Sequence, residues 1–236
     1  MFANQGYRLL MAAAPPRRPR RPEQLPPGRH GLSRRDVARS QRTRILKAIT
    51  EVVAEHGYQA ARVTDVISAA GVSRKTFYEH FSDKEECFLA AFDANLADLM
   101  GTTAAGFDSS EDWVGRVRAG LTAFLDGLAS RPAAARMCMV EVLAAGPKAL
   151  ARRESAIRGF TYFLDAGRSG APRGIPPFTA IAVIGGVNEV LYAQILKGAA
   201  ADLPKLLPDL MYWVTLPFIG HERADAEREV LYQATA

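Results

Sequence analysis

Apolar residues recur at helical spacing through most of the chain. Ile45, Ile49, Val52, Val53 and His56 fall at i, i+4, i+7, i+8 and i+11, the stripe of a helix that packs on one side. Gly57 follows it, as a glycine just past a helix C-terminus does. Thr64 reads as the N-cap of a short second helix carrying Val66, Ile67 and Ala70, which Gly71 breaks. Ser73 caps a third, from Arg74 to His80. Ser82 and Glu85 read as a capping box opening a long fourth helix, with Phe88, Leu89, Phe92, Leu96 and Leu99 on its apolar stripe.

Helical patterning continues beyond that point. Ser110 opens a segment holding Trp113, Val117, Leu121, Phe124, Leu125 and Leu128. Pro132 sits in a break, Met137 to Leu143 follows, and Gly146-Pro147 marks another break before a helix from Ala149 to Gly167. Residues 168–177 are a loop by composition. Helices at about 178–198 and 204–219 come next, and residues 221–236 read as charged and frayed. Alternating strand runs, repeats and Gly-rich phosphate loops are not in evidence, so the expected fold class is all-α. The expected division is a disordered Arg/Pro-rich tail over 1–36, a three-helix domain over 37–84, a larger helical domain over 85–221, and a C-terminal tail over 222–236.

Charge sharpens this picture by where it sits. The formal net charge is +5, which favours a polyanionic partner. Residues 1–35 carry eight arginines, Arg17-Arg18 and Arg20-Arg21 among them, against the one acid Glu23, so the remainder is slightly acidic. Such a segment offers little to offset its ordering entropy and reads as a solvated tail, as a basic arm along phosphates or a minor groove, or as the product of a start codon placed too far upstream. The body must then bind any nucleic acid through a local patch. Cys87 and Cys138 lie in apolar helical runs outside any CxxC and read as buried thiols of a reducing cytoplasm. The four histidines are scattered without ligand spacing, and no metal or cofactor is expected. A secretory signal is not apparent, because the basic cluster follows the first short apolar run. The longest apolar stretch, Phe178 to Leu196, is interrupted by Asn188, Glu189 and Gln194, so no membrane association is expected.

The two short helices at 64–70 and 73–80, joined through Gly71-Val72, suit a helix-turn-helix. Val63, Val66, Ile67, Ala70, Val72, Phe77 and Phe81 supply its small core, leaving Arg74, Lys75, Thr76, Tyr78 and His80 outward. Arg74 or Lys75 can donate to guanine edges, Thr76 can touch a thymine methyl or a phosphate, and Tyr78 and His80 can donate to phosphate oxygens. Thr64 would offer its hydroxyl and its helix's N-terminal amides to a phosphate. Lys84 and Arg44 would add backbone contacts. The bland alternative is that these are ordinary solvated side chains.

The run V-T-D-V-I-S-A-A-G-V-S-R-K-T-F-Y-E-H-F-S-D-K-E-E, residues 63–86, closely resembles the signature of the TetR family, over about residues 40–95. The matching positions are Thr64, Ala70-Gly71-Val72-Ser73, Thr76-Phe77-Tyr78, His80-Phe81 and Lys84-Glu85; Cys87 departs, where a larger aliphatic is common. The resemblance implies DNA contacts at Thr64, Ser73, Thr76, Tyr78, His80 and Lys84, with Arg74 and Lys75 in the variable, sequence-reading pair. It also implies a C-terminal domain that dimerises through its last two long helices and binds a small-molecule effector, releasing a repressor from a palindromic operator. Polar residues within apolar runs are the better guides to an effector site: Glu141 in M-C-M-V-E-V-L, and Asn188, Glu189 and Tyr192. Glu141 and Glu189, or Asn188 with Tyr192, would orient a cationic or hydroxylated effector, with Trp113 among the aromatic residues that could line its site; dimer hydrogen bonds or a solvated edge are the alternative. An enzyme lacks support, since nucleophile elbow, metal spacing and cofactor loop are all missing. A constitutive DNA-binding protein without an effector, or an activator, remains open.

Overall fold

The computed structural model describes residues 33–171 and 174–235, and every regular element among them is helical. The Arg/Pro-rich tail, with Arg17, Arg18, Arg20 and Arg21, lies outside the described residues apart from its last four positions. Those four open the first helix, α1 (Arg34–His56). Ser33 accepts the Asp36 N–H and donates its hydroxyl to the Asp36 carboxylate, so the helix starts at Arg34, ahead of the expected domain start at residue 37. It ends at Gly57, whose φ of +80° suits glycine and whose N–H donates to Val53 O.

The next two helices are α2 (Val63–Ala70) and α3 (Arg74–His80). Thr64 is not the cap of α2. Arg62 occupies that place, its N–H donating to the Asp65 carboxylate at 3.0 Å, and Thr64 falls within the first turn. Gly71 closes α2 in the left-handed region at φ +62°, ψ +41°. Helix α4 (Lys84–Phe107) is capped by Asp83 rather than Ser82. The expected Ser82–Glu85 box does not form: Asp83 accepts the Glu86 N–H, while Glu86 accepts both the N–H and the hydroxyl of Ser82, the residue before the cap. Those two bonds hold the Glu86 carboxyl below its ordinary range.

The larger half comprises α5 (Trp113–Ala129), α6 (Pro132–Met139), a 3₁₀ turn at Glu141–Ala144, α7 (Pro147–Asp165), α8 (Thr179–Leu196), a 3₁₀ stretch at Ala200–Leu206, α9 (Leu207–Ile219) and α10 (His221–Thr235). Pro132 and Pro147 stand at helix starts rather than in gaps, because proline's fixed φ and missing N–H cost nothing in a first turn. The expected frayed C-terminus is a helix instead. Ala224 is fully buried, Tyr232 donates to Asp209 at 2.9 Å, and Glu227 pairs with Arg118 of α5.

Two apolar cores result. One joins Ile45, Ile49, Val53, Val66, Phe77 and Phe81 to Phe88 and Phe92 of α4 and Met137 of α6. The other gathers α4's lower half, α5, α8 and α9 around Leu99, Phe107, Leu125, Leu191 and Met211. Helix α4 thus belongs to both, and the expected boundary after residue 84 cuts through the first core rather than between cores.

Candidate nucleic-acid interface and internal cavity

Helix α3 has seven residues, too few to persist alone in water, so its shape rests on anchoring. Phe77 supplies the anchor. It is fully buried, 5.9 Å between ring centroids from Phe81. Ser73 caps the start, accepting the Thr76 N–H at 3.0 Å and sharing a hydroxyl hydrogen bond with Thr76 at 2.9 Å. With one face nailed down, the other is left to solvent: Arg74, Lys75 and Tyr78 are exposed, and Thr76 and His80 half-buried. Arg74 lies over the Tyr78 ring, 5.7 Å from its centroid, which restrains the guanidinium without consuming its donors. Lys75 faces Glu79 at 3.9 Å, a weak, solvated pair. Thr64 is exposed in the first turn of α2.

Two expected contact residues also make hydrogen bonds within the fold. Arg44 donates to Ala70 O at 2.8 Å and Gly71 O at 3.3 Å, tying α1 to the turn between α2 and α3. The Lys84 ammonium donates to Tyr58 O at 2.7 Å and Ala61 O at 2.9 Å, 4.3 Å from the centre of the Tyr58 ring. Burial holds its pKa below the ordinary lysine value. Both side chains brace the reading head through carbonyls brought near by folding, a role no local spacing announces. Arg42 is a cation the pattern does not single out. It is exposed on α1 with its guanidinium 5.0 Å from the Phe81 ring centre, beside the end of α3.

A cavity of about 110 Å³ opens within the larger half, walled by α4, α5, α6, α7, α8 and α9. Its lining is almost wholly apolar, with Phe92, Phe107, Phe124, Phe160 and Leu191 prominent. Of the five residues expected to bind an effector, Asn188 alone lines it. Trp113 is a packing residue: its Nε1 donates to Phe163 O at 3.1 Å and its ring packs on Phe218 at 4.9 Å. Glu141 is buried against the reading head, accepting the Tyr58 N–H at 2.9 Å and pairing with Arg136 at 3.1 Å. Glu189 is exposed and Tyr192 half-buried, both away from the lining. The expectation of a cationic effector therefore loses its basis, since no carboxylate lines the cavity among the described residues. Both thiols are pushed up to about 12 by burial, Cys87 in the first core and Cys138 at the cavity wall.

The family model described as bacterial regulatory proteins, tetR family, matches residues 45–91, which hold α2, α3 and the flanking helix ends. The HTH-type transcriptional activator FasR of Mycolicibacterium smegmatis is 33% identical over 107 residues, 45% of this chain and about half (49%) of FasR. The regulator TcmR of Streptomyces glaucescens is 28% identical across 76% of this chain and 83% of its own length. Among solved structures, the transcriptional regulator FadR of Bacillus subtilis, in complex with stearoyl-CoA, superposes with a TM-score of 0.66 at 19% identity, covering 75% of this chain and 98% of that one. At that identity the likeness is one of fold.

Proposed function

We propose that the chain is a DNA-binding transcriptional regulator of the TetR family, whose model matches residues 45–91, and that it acts as a homodimer that reads a near-palindromic operator and answers to a small molecule with an apolar body. The observation that carries the DNA half is the solvated face of a capped, Phe77-anchored α3. Arg74 and Lys75 reach base edges in the major groove; Tyr78, Thr76, His80 and Thr64 meet phosphates; Ser73, Arg44 and Lys84 hold the helix in place. Cations that donate to phosphates make binding salt-dependent, while base contacts set sequence preference.

The dimer half rests on an uncovered apolar face. Helix α8 is long and apolar enough to cross a membrane, yet little of it is buried within the chain. Phe178, Val190, Leu196 and, on α9, Trp213 are exposed, and Gly185 and Gly186 have open space where a Cβ would stand. A second copy laid across α8 and α9 would cover this face, with the glycines allowing close approach. Two-fold symmetry then sets the recognition helices roughly 34–36 Å apart, one turn of DNA.

Helix α4 supplies the coupling. Phe88 and Leu89 sit in the core of the reading head, while Leu99, Thr103 and Phe107 line the cavity on the same rigid rod. A ligand that favours one tilt of α4 shifts the dimer away from operator spacing and releases DNA, the behaviour of a repressor. The apolar wall suits an aliphatic or aromatic body, in keeping with the stearoyl-CoA carried by FadR of Bacillus subtilis.

The test is selection of bound duplexes from a random DNA pool, followed by anisotropy titration and sedimentation equilibrium. The expected result is a near-palindromic site bound by a species of twice 25.6 kDa, with affinity lost in Tyr78→Ala. No enriched sequence, or full affinity in a folded Tyr78→Ala, would reject the reading head; a monomer in aqueous buffer, or aggregation relieved only by detergent, would reject the second copy as the cover of α8.

A further inference from the structure

Among the described residues, five arginines have a buried Nε without a hydrogen-bond partner: Arg44, Arg118, Arg136, Arg153 and Arg228. Four of them are anchored through their terminal nitrogens, to the carbonyls of Ala70 and Gly71, to Glu227, to Glu141, and to Asp225 with Glu229 respectively. Arg153 has no hydrogen bond or ion pair among the described residues, and it lines the apolar cavity. Its chain neighbour Arg152 pairs with Asp93 of α4. Helix α7 thus has one cation satisfied on α4 and one, with its Nε buried and unpartnered, among the residues that line the cavity.

A guanidinium stays charged at any physiological pH. Its Nε, buried against an apolar wall without an acceptor, carries a desolvation cost that an anion at the same site would offset. The other polar groups of the lining fit the same picture. Thr103 spends its hydroxyl on Leu99 O at 2.8 Å, and the Cys138 thiol stays neutral with its pKa pushed up to about 12. Asn188, on the packed helix α8, has no hydrogen bond among the described residues and can donate its amide to a second acceptor atom.

From the unpartnered Arg153 in an apolar cavity free of carboxylates, we infer that the ligand of this site is an anionic amphiphile, an aliphatic body ending in a carboxylate or phosphate that Arg153 binds and Asn188 helps orient. Arg153 is then the residue that sets head-group specificity. This inference rests on the proposal that the cavity is the effector site, but it concerns binding alone and is measured without DNA. The fork geometry of arginine suits both kinds of head.

The experiment is calorimetric titration of the full-length chain with dodecanoic acid, dodecyl phosphate, dodecanol and dodecylamine, below their micelle concentrations. At least one anion should bind tenfold or more tightly than the alcohol, and the amine should bind most weakly; whichever anion is tighter identifies the head. In Arg153→Met the preference for the anion over the alcohol should disappear while the alcohol binds as before. In Arg153→Lys it should persist in weakened form, a comparison that stands even if the methionine variant folds poorly. Equal binding of anion and alcohol by the wild type, tightest binding of the amine, or an undiminished preference in a folded Arg153→Met would overturn the inference. Operator binding is read separately on the same samples: an anion that binds through Arg153 without altering DNA affinity supports the ligand class and removes the effector role.

Discussion

Glu141 offers the sharpest test of how the two halves are joined. Its carboxylate is buried at the start of a 3₁₀ turn, yet it accepts the N–H of Tyr58, 83 residues away, at 2.9 Å and pairs with Arg136 at 3.1 Å. The acceptor sits beside Gly57, whose absent Cβ would come within 3.5 Å of Glu141 Oε2. Replacing Glu141 with Ala removes a charged acceptor from a buried N–H, at about 1.5–3 kcal/mol. It also leaves the Arg136 guanidinium, about one third exposed, without its counter-charge, which adds no more than about 1 kcal/mol at such exposure. The total, roughly 2–4 kcal/mol, corresponds to a melting point lower by about 5–15 °C for a chain of this size. Glu141→Gln keeps an acceptor of the same shape and should lose only about 1 kcal/mol. The assay is urea and thermal unfolding by circular dichroism, with amide hydrogen exchange at Tyr58. Exchange at that amide should accelerate in Glu141→Ala while amides in the centre of α1 stay protected. A folded Glu141→Ala that melts within about 2 °C of wild type, with Tyr58 protection unchanged, would refute the argument that this bond ties the reading head to the larger half.

Arg74→Ala should lower operator affinity by roughly 1–3 kcal/mol and relax preference at one base position, measured by anisotropy on a set of single-base variants; a uniform loss across all variants would reassign Arg74 to phosphate contact. Because Arg74 lies over Tyr78, the double variant with Tyr78→Ala should lose less than the two single losses combined, and strict additivity would deny the contact a role. Gly167→Ala should destabilise the fold by about 1–3 kcal/mol, because the new Cβ would lie 2.6 Å from Trp113 Cζ2; an unchanged denaturation midpoint would mean that the Trp113 ring shifts freely. Cys87 and Cys138, with thiols raised to about 12, should resist iodoacetamide at pH 8 until urea is added. The sign is that of a proton held more tightly in the folded state, so the thiols' contribution is intact below the unfolded value and fades as pH climbs towards about 12. Fast alkylation of the native chain would contradict their burial.

The reading head was legible in the sequence because its signals are local. Gly57, Gly71 and Ser73 act within a turn of where they stand, and the spacing of Val66, Ala70, Phe77 and Phe81 names the buried face. Local rules also erred locally: Thr64 and Ser82 are good caps by type, yet Arg62 and Asp83 take those places, because Asp65 and Glu86 stand where their carboxylates can accept from the chain just upstream. The C-terminal helix was missed because its apolar residues are sparse, and its stability comes from α9 and from partners such as Arg118 and Asp209.

What a given polar side chain is for was decided by the tertiary structure alone. Arg44 and Lys84 match a DNA-contact pattern, and folding also brings backbone carbonyls within reach of their donors. Glu141 and Trp113 stood out as polar or aromatic within apolar runs, and each is used by a partner 50 or more residues away. Arg153 is set apart from the four other described arginines with a buried Nε only by lacking the terminal anchor that they have. The sequence determines helices, their breaks and the face each turns inward, because those depend on neighbours within four residues. It leaves undetermined which distant donor meets which acceptor, because that is settled only when helices pack and water is excluded.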